Sequence, residues 1–220
     1  MDGLENSISS FPVRLALTHA PLSQRPAAHA LFALDSRLGQ FVSQASEPLV
    51  AQLRISWWRE QLAKPADQRP KGDEVLDALS HHWPEVEGEM TALVDGWERL
   101  LAEPPLPEDA AEEFVGARAG IFALLASKAG QASLAGKALK MGRTWAAADL
   151  IARTSDDGER GFLLEKFGGL ASDRHALPRS LRHLTILGEL ARRSLARGGS
   201  PLIETRSDYL LVMRLGMFGR

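Results

Sequence analysis

Cysteine is absent from the 220-residue chain, which excludes a disulfide scaffold, a thiolate metal site and a cysteine nucleophile. No apolar run approaches the ~20 residues that span a bilayer, and the acidic, polar start MDGLENSISS does not resemble a secretory signal peptide. A net charge of −2 gives no general reason to expect nucleic acid as a partner. These absences predict a cytoplasmic globular protein.

The small net charge hides an excess of arginine near the C-terminal end. Residues 174–220 carry nine arginines against three acidic residues, a net charge of +6 that leaves −8 for residues 1–173. Such a segment suits an anionic membrane surface, a diphosphate, or the acidic remainder of its own fold, and the sequence leaves all three open. The nine are Arg174, Arg179, Arg182, Arg192, Arg193, Arg197, Arg206, Arg214 and Arg220.

Strand signals are scarce, and tyrosine occurs once. Apolar residues recur at spacings of three and four, which is typical of helices. Breaks at proline and glycine divide the chain into eight or nine predicted helices, among them residues 26–44 and 108–129. We therefore expect an all-α protein, a single-domain helical bundle over residues 13–220 that follows a flexible segment over residues 1–12.

One predicted helix begins at Ser46-Glu47-Pro48, with Ser46 as its N-cap and Pro48 in its first turn. Its apolar residues form a stripe at helical spacing, which we expect to face the core. The stripe consists of Leu49, Val50, Leu53, Trp57 and Leu62, with Trp58 adjacent.

Generic catalytic motifs are missing, since the chain has no phosphate-binding loop, no HExxH and no GxSxG. Acids at helical spacing are better candidates, because carboxylates on one helix face can bind Mg²⁺ and, through it, a diphosphate. Asp149 and Asp157 lie eight residues apart, on roughly the same face, with Asp156 and Glu159 nearby. Arg153 lies midway, so spacing alone favours an ion pair between Asp149 and Arg153 over a metal site.

Several segments resemble the squalene/phytoene synthase family, in the family's order, between about residues 13 and 165. The most specific is LRISWWREQL at residues 53–62, which is similar to the family's R-x-x-W-W-R signature. The weaker matches are LFALDSRL (31–38), LVDGWERLL (93–101), RAGIFALL (118–125) and GRTWAAADLIARTSDDGERG (142–161).

The resemblance implies an all-α fold of the isoprenoid (trans-prenyl) synthase type. Active members of the family join two prenyl diphosphates head to head, using Mg²⁺ held by two facing Asp-rich motifs. The first motif falls on Gly39, Gln40 and Ser43, so its three carboxylates are missing here. The arginine that precedes this motif falls on Ser36.

The second motif, N-x-x-x-D-x-x-x-D, falls on Asp149, Arg153 and Asp157, and a nearby glutamine position falls on Ala146. One metal-binding carboxylate has thus become a cation. Because two diphosphates with several Mg²⁺ need many anionic oxygens around them, we expect the fold to be kept and the condensation chemistry to be lost. The alternative is an active Mg²⁺-dependent transferase of the squalene or phytoene synthase type, with Asp149 and Asp157 as metal ligands.

These departures are most similar to the degenerate family branch that includes the mitochondrial complex I assembly factor. They imply a non-catalytic helper, peripheral on the inner face of a membrane. The expected partners are a prenyl diphosphate or isoprenoid lipid, a protein assembly partner and an anionic membrane surface, but not nucleic acid. No catalytic residue is assigned. The substrate-binding candidates are Asp149, Arg153, Asp157, Arg54 and Trp57. For the last two the residue types alone favour other interpretations, a core position for Trp57 and a surface ion pair for Arg54.

Overall fold

The computed structural model describes residues 2–44 and 47–218. Within these ranges the regular elements are all helical, which confirms the all-α prediction, and every helix there is too short or too polar to cross a membrane. The predicted N-cap Ser46 and the last arginine, Arg220, lie outside the described residues.

The α-helices are α1 (Asp2–Ser7), α2 (Phe11–Leu17), α3 (Arg25–Ser43), α4 (Pro48–Leu62), α5 (Glu74–His82), α6 (Glu87–Glu98), α7 (Glu108–Lys128), α8 (Ala135–Arg153), α9 (Asp157–Phe167), α10 (Arg182–Ala196) and α11 (Arg206–Phe218). Short 3₁₀ helices occupy Ala66–Gln68, Arg99–Leu101, Ala132–Leu134, Gly168–Ser172 and Arg179–Leu181.

The described residues form eleven α-helices, more than the sequence predicts, because α1 and α2 precede the first predicted helix. These two are six and seven residues long, a length at which a helix depends on packing more than on its own propensity. Helix α2 buries Val13, Ala16 and Leu17, and α1 packs against α3 and α5. The flexibility of residues 1–12 stays a prediction.

Two compact units make up the chain. The first comprises Met1–Phe11 and Leu22–Arg118, and the second comprises Pro12–Pro21 and Ala119–Arg220. Helix α7 contributes its residues up to Arg118 to the first unit and the remainder to the second. That residues 13–220 form a single domain, as the sequence suggests, stays a prediction.

Helix α3 is central to the first unit and contacts α1, α4, α5 and α6. Pro26 lies in its first turn, where a helix needs no N–H donor, and every residue from Ala27 to Ser36 is buried. Trp83, which follows α5, donates from Nε1 to the Ala27 carbonyl oxygen at 2.9 Å. This buried helix carries the stretch that resembles the first Asp-rich motif.

Helices α8 and α10 form the main packed pair of the second unit, and α10 also packs against α11. Residues Thr144 to Ile151 of α8 are all buried. Trp145 in this run stacks on Phe122 of α7, with ring centroids 5.4 Å apart. Helix α8 therefore holds the stretch that resembles the second motif in a rigid, packed element.

The predicted orientation of α4 is wrong for most of its stripe. Four of the residues that we expect in the core are between 40 % and 64 % exposed, and we call them the α4 stripe: Leu49, Val50, Leu53 and Trp57. The side of α4 that is buried instead contains Ala51, Ile55, Trp58, Gln61 and Leu62. Because both sides of α4 are apolar, the spacing alone does not decide which side packs against α3 and α6.

Candidate functional site

The stretch that resembles the first Asp-rich motif lies on the last turns of α3, in the first unit. The resemblance implies carboxylates at three positions of this stretch. Gly39 has no side chain there, Gln40 has an amide and Ser43 has a hydroxyl. Ser36, at the position of the preceding arginine, accepts a hydrogen bond from the Ser9 amide at 3.3 Å. The side chains at these positions therefore do not suit Mg²⁺, which prefers carboxylate oxygens as ligands in proteins.

The indole ring of Trp97 fills the space beside Gly39. A Cβ atom at residue 39 would lie 2.9 Å from Cη2 of Trp97, and 3.3 and 3.4 Å from two other ring carbons. The ring is fixed, because its Nε1 donates a hydrogen bond to Asp35 at 2.8 Å and it meets the Phe114 ring edge-on with centroids 4.8 Å apart. A carboxylate side chain at residue 39 would therefore have to displace a fixed ring.

Asp35 and Arg118 form a buried ion pair beside that ring. Arg118 donates from Nε and Nη2 to the two Asp35 carboxylate oxygens, both at 2.8 Å, and the side chains are only 4 % and 7 % exposed. The guanidinium also lies over the rings of Trp97 and Phe114, 5.1 and 5.2 Å from their centroids. Sequence reasoning missed this pair, although a lone acid inside the apolar stretch of residues 30–38 is a signal for it.

The Asp149–Arg153 ion pair that the spacing favours is present on α8, in the second unit. Arg153 donates from Nε to Asp149 Oδ1 at 3.0 Å. The Asp149 side chain is 9 % exposed and that of Arg153 is 60 % exposed. The pair therefore joins a mostly buried carboxylate to a solvent-facing cation, and the carboxylate oxygen that faces the guanidinium is already engaged.

The other acids of this region lie at the start of α9. Asp156 is the N-cap of that helix, and its Oδ1 accepts a hydrogen bond from the Glu159 amide at 2.8 Å. Asp157 is exposed in the first turn, where a carboxylate interacts favourably with the helix dipole. The structure thus brings Asp149 together with Arg153, and it gives Asp156 a structural role as a cap.

The two remaining candidates, Arg54 and Trp57, lie on α4 in the first unit. The Arg54 guanidinium lies over the ring of Phe41, 5.6 Å from its centroid, which is an aromatic contact instead of the surface ion pair. Trp57 belongs to the exposed α4 stripe, and Trp58 takes the buried position. The rings of these two tryptophans meet edge-on, with centroids 5.6 Å apart. The reading of Trp57 as a core residue is therefore wrong.

A family model described as squalene/phytoene synthase matches residues 8–164, more than two thirds of the 220-residue chain. The chain belongs to the squalene/phytoene synthase family. Comparison with curated proteins and with solved structures gave no match. The fold is therefore the helical isoprenoid synthase fold of this family, and the matched range includes α3, α4 and α8 with both motif stretches.

The squalene/phytoene synthase family is typically Mg²⁺-dependent and binds prenyl diphosphates. Across residues 2–44 and 47–218, however, no group of three or more acidic or histidine side chains is arranged to hold a metal ion. Two observed contacts account for the lack of such a group. The Trp97 ring occupies the space beside Gly39, and Arg153 pairs with Asp149. The donor set of this family member does not fit the Mg²⁺ cluster that the family uses.

Proposed function

We propose that this chain is a non-catalytic member of the squalene/phytoene synthase family, acting as an isoprenoid-binding or assembly-type helper at a membrane surface. The observation that carries the non-catalytic part is the Trp97 ring beside Gly39. The motif resemblance assigns that position a metal-binding carboxylate in active members. Here a ring held by Asp35 and Phe114 takes the space.

The second motif supports the same proposal from electrostatics. Departure of a diphosphate needs Mg²⁺ to neutralise the developing negative charge, and the metal in turn needs several carboxylates. In this chain Arg153 satisfies one Asp149 oxygen at 3.0 Å. Its exposed guanidinium can contact a phosphate directly, but a single cation does not replace a metal cluster. This arrangement favours binding of an isoprenoid diphosphate over condensation.

The helper role is supported by two features of the protein's surface and charge. The α4 stripe exposes four large apolar side chains on one helix, and exposed apolar patches are typical of interaction sites. The net charge of +6 over residues 174–220 suits an anionic surface. The likeness of the motif departures to the branch that includes the mitochondrial complex I assembly factor supports an assembly role.

The experiment that tests the non-catalytic part measures diphosphate release from farnesyl and geranylgeranyl diphosphate with Mg²⁺, with and without NADPH. We expect no release from the folded protein when an active enzyme of the family, assayed in parallel, turns over. Release with a squalene- or phytoene-type product, abolished in the Asp157→Ala variant, would overturn the proposal. The active site would then have been rebuilt around the second motif.

A further inference from the structure

Helix α11 is apolar on two sides, and its outer side is uncovered. On the inner side Leu211, Val212 and Leu215 are buried, and the helix packs on α10. On the outer side five large apolar side chains are between 47 % and 66 % exposed, and we call them the α11 outer face: Tyr209, Leu210, Met213, Met217 and Phe218. Large apolar side chains grouped on one exposed helix face are typical of an interaction site.

The start of α11 is fixed within the second unit, so the outer face is held in one orientation. Asp208, near the helix start, accepts hydrogen bonds from the amides of Thr205 and Glu204 at 3.0 and 3.1 Å, as in a capping box. Arg197 adds two charge-assisted hydrogen bonds at 3.1 and 3.3 Å. Burial alone would raise the pKa of Asp208, but these donors outweigh burial and lower that pKa to about 2.

The edge of the outer face is cationic along its whole length. Arg206 and Arg214 are exposed on α11 itself, each one turn away from Leu210. Arg179, which is also exposed, donates from Nη2 to the Met217 carbonyl oxygen at 3.1 Å. Arginines therefore lie at the beginning, the middle and the end of the apolar row.

The acidic residues of this segment do not neutralise that edge, because other arginines engage them. Arg192 pairs with Glu189 at 3.0 Å. Arg197 pairs with Glu204 at 3.5 Å and with Asp208 at 3.1 Å. These are all three acids of residues 174–220, where the net charge is +6. The excess positive charge is thus left to arginines such as those that flank the outer face.

We infer that the α11 outer face lies in the headgroup region of an anionic bilayer, with its apolar side chains toward the acyl chains and Arg206, Arg214 and Arg179 on lipid phosphates. Apolar and aromatic side chains edged by arginine are typical of helices that lie in a membrane interface. The α4 stripe has charges of both signs at its edge, since the exposed Arg54 and the exposed Glu60 each lie one turn from Trp57. The inference rests on the proposed membrane-surface role and gives it an element and a lipid class.

Vesicle flotation of the full chain tests this inference. The vesicles contain phosphatidylcholine alone or phosphatidylcholine mixed with phosphatidylglycerol, and we expect the protein to float with the mixed vesicles. Leu210→Gln/Met213→Gln should lower partitioning at least about ten-fold because two apolar contacts are lost. Arg214→Gln should lower it about five-fold. The matched control Leu49→Gln/Leu53→Gln makes the same kind of change on the α4 stripe and should float like the unmodified protein.

The absence of cysteine allows a second readout. Met213→Cys provides a single attachment point for a polarity-sensitive fluorophore on the α11 outer face, and Leu53→Cys provides the same on the α4 stripe. Both positions are more than half exposed, so neither substitution alters the core. We expect a blue shift with the mixed vesicles for the label at residue 213 and none for the label at residue 53.

The outcomes separate this inference from the proposed function. If the protein floats and Leu210→Gln/Met213→Gln floats equally, the α11 inference is wrong while the membrane-surface role stands. If the protein does not float with the mixed vesicles, both are wrong. Self-association in sedimentation that the same variant abolishes would instead assign the face to a second copy of the chain and overturn the lipid assignment. The diphosphate-release assay tests the non-catalytic part of the proposed function independently of these three outcomes.

Discussion

Removing the negative charge of Asp35 should destabilise the first unit strongly. In Asp35→Asn, the Arg118 guanidinium keeps its buried position but loses its counter-ion. The two side chains are only 7 % and 4 % exposed, so water does not replace the carboxylate. The rings of Trp97 and Phe114 lie within 5.2 Å of the guanidinium, but ring faces compensate only part of a buried charge.

The expected magnitude follows from this burial. Breaking a buried ion pair by removing one partner costs about 3–5 kcal/mol, and the loss of the charged acceptor for Trp97 Nε1 acts in the same direction. Single domains have free energies of unfolding of about 5–15 kcal/mol, so the variant loses a large share of its stability. Asp95→Asn is the matched control, because its pair with Arg59 is exposed and such pairs contribute at most about 1 kcal/mol.

Urea unfolding followed by tryptophan fluorescence measures the difference, since four of the five tryptophans belong to the first unit. The double variant Asp35→Leu/Arg118→Met removes both charges and should be more stable than Asp35→Asn, because an apolar replacement of a buried pair is often close to neutral. The reasoning is refuted if Asp35→Asn costs no more than Asp95→Asn. It is also refuted if the double variant costs the sum of Asp35→Leu and Arg118→Met.

Two further predictions concern a buried histidine and the filled space on α3. Burial, with a smaller contribution from Arg182, lowers the pKa of His183 from 6.5 to about 4. As the pH falls, the histidine of the unfolded chain therefore takes up its proton before that of the folded protein. The free energy of unfolding should fall by about 3 kcal/mol between pH 6.5 and 4. Urea titrations across that range should show a shallower pH dependence for His183→Gln, and identical slopes would contradict the prediction. Gly39→Ala forces a methyl group against the Trp97 ring and should cost about 1–3 kcal/mol. Gly88→Ala is the control, since no atom lies within 4 Å of a Cβ at that position, and it should be neutral or stabilising in the same urea measurement. If the two substitutions change the free energy of unfolding equally, the Trp97 ring moves to accommodate the methyl group and the prediction is wrong.

The helices were predictable because their signals are local. Pro26 and Pro48 lie in the first turns of α3 and α4, as expected, and the predicted range 108–129 differs from α7 by one residue at its end. Proline position and apolar spacing depend on neighbours within a few turns. The all-α fold follows from such signals, whereas α1 and α2 are too short to be recognised without the surfaces on which they pack.

The α4 stripe and the buried ion pair show where local pattern is insufficient. Leu53 and Ile55 lie on different sides of α4, and both are apolar, so the covered side depends on α3 and α6 rather than on spacing. Asp35 is 83 residues from Arg118. An acid in an apolar run indicates that a partner exists but not which residue supplies it. The pair Asp149–Arg153 was predictable by contrast, since both residues lie on one helix.

One acid near each motif stretch is neutralised by an arginine of the protein itself. Asp35 accepts hydrogen bonds from Arg118 and Trp97, and Asp149 accepts one from Arg153. In a Mg²⁺-dependent site, clustered carboxylates repel one another until the metal binds, so a chain that no longer used the metal would be destabilised by keeping them. Packing of Trp97 against Gly39 removes such repulsion from one stretch, and an ion pair removes it from the other. The proposed non-catalytic role therefore predicts a fold whose stability does not depend on bound cations.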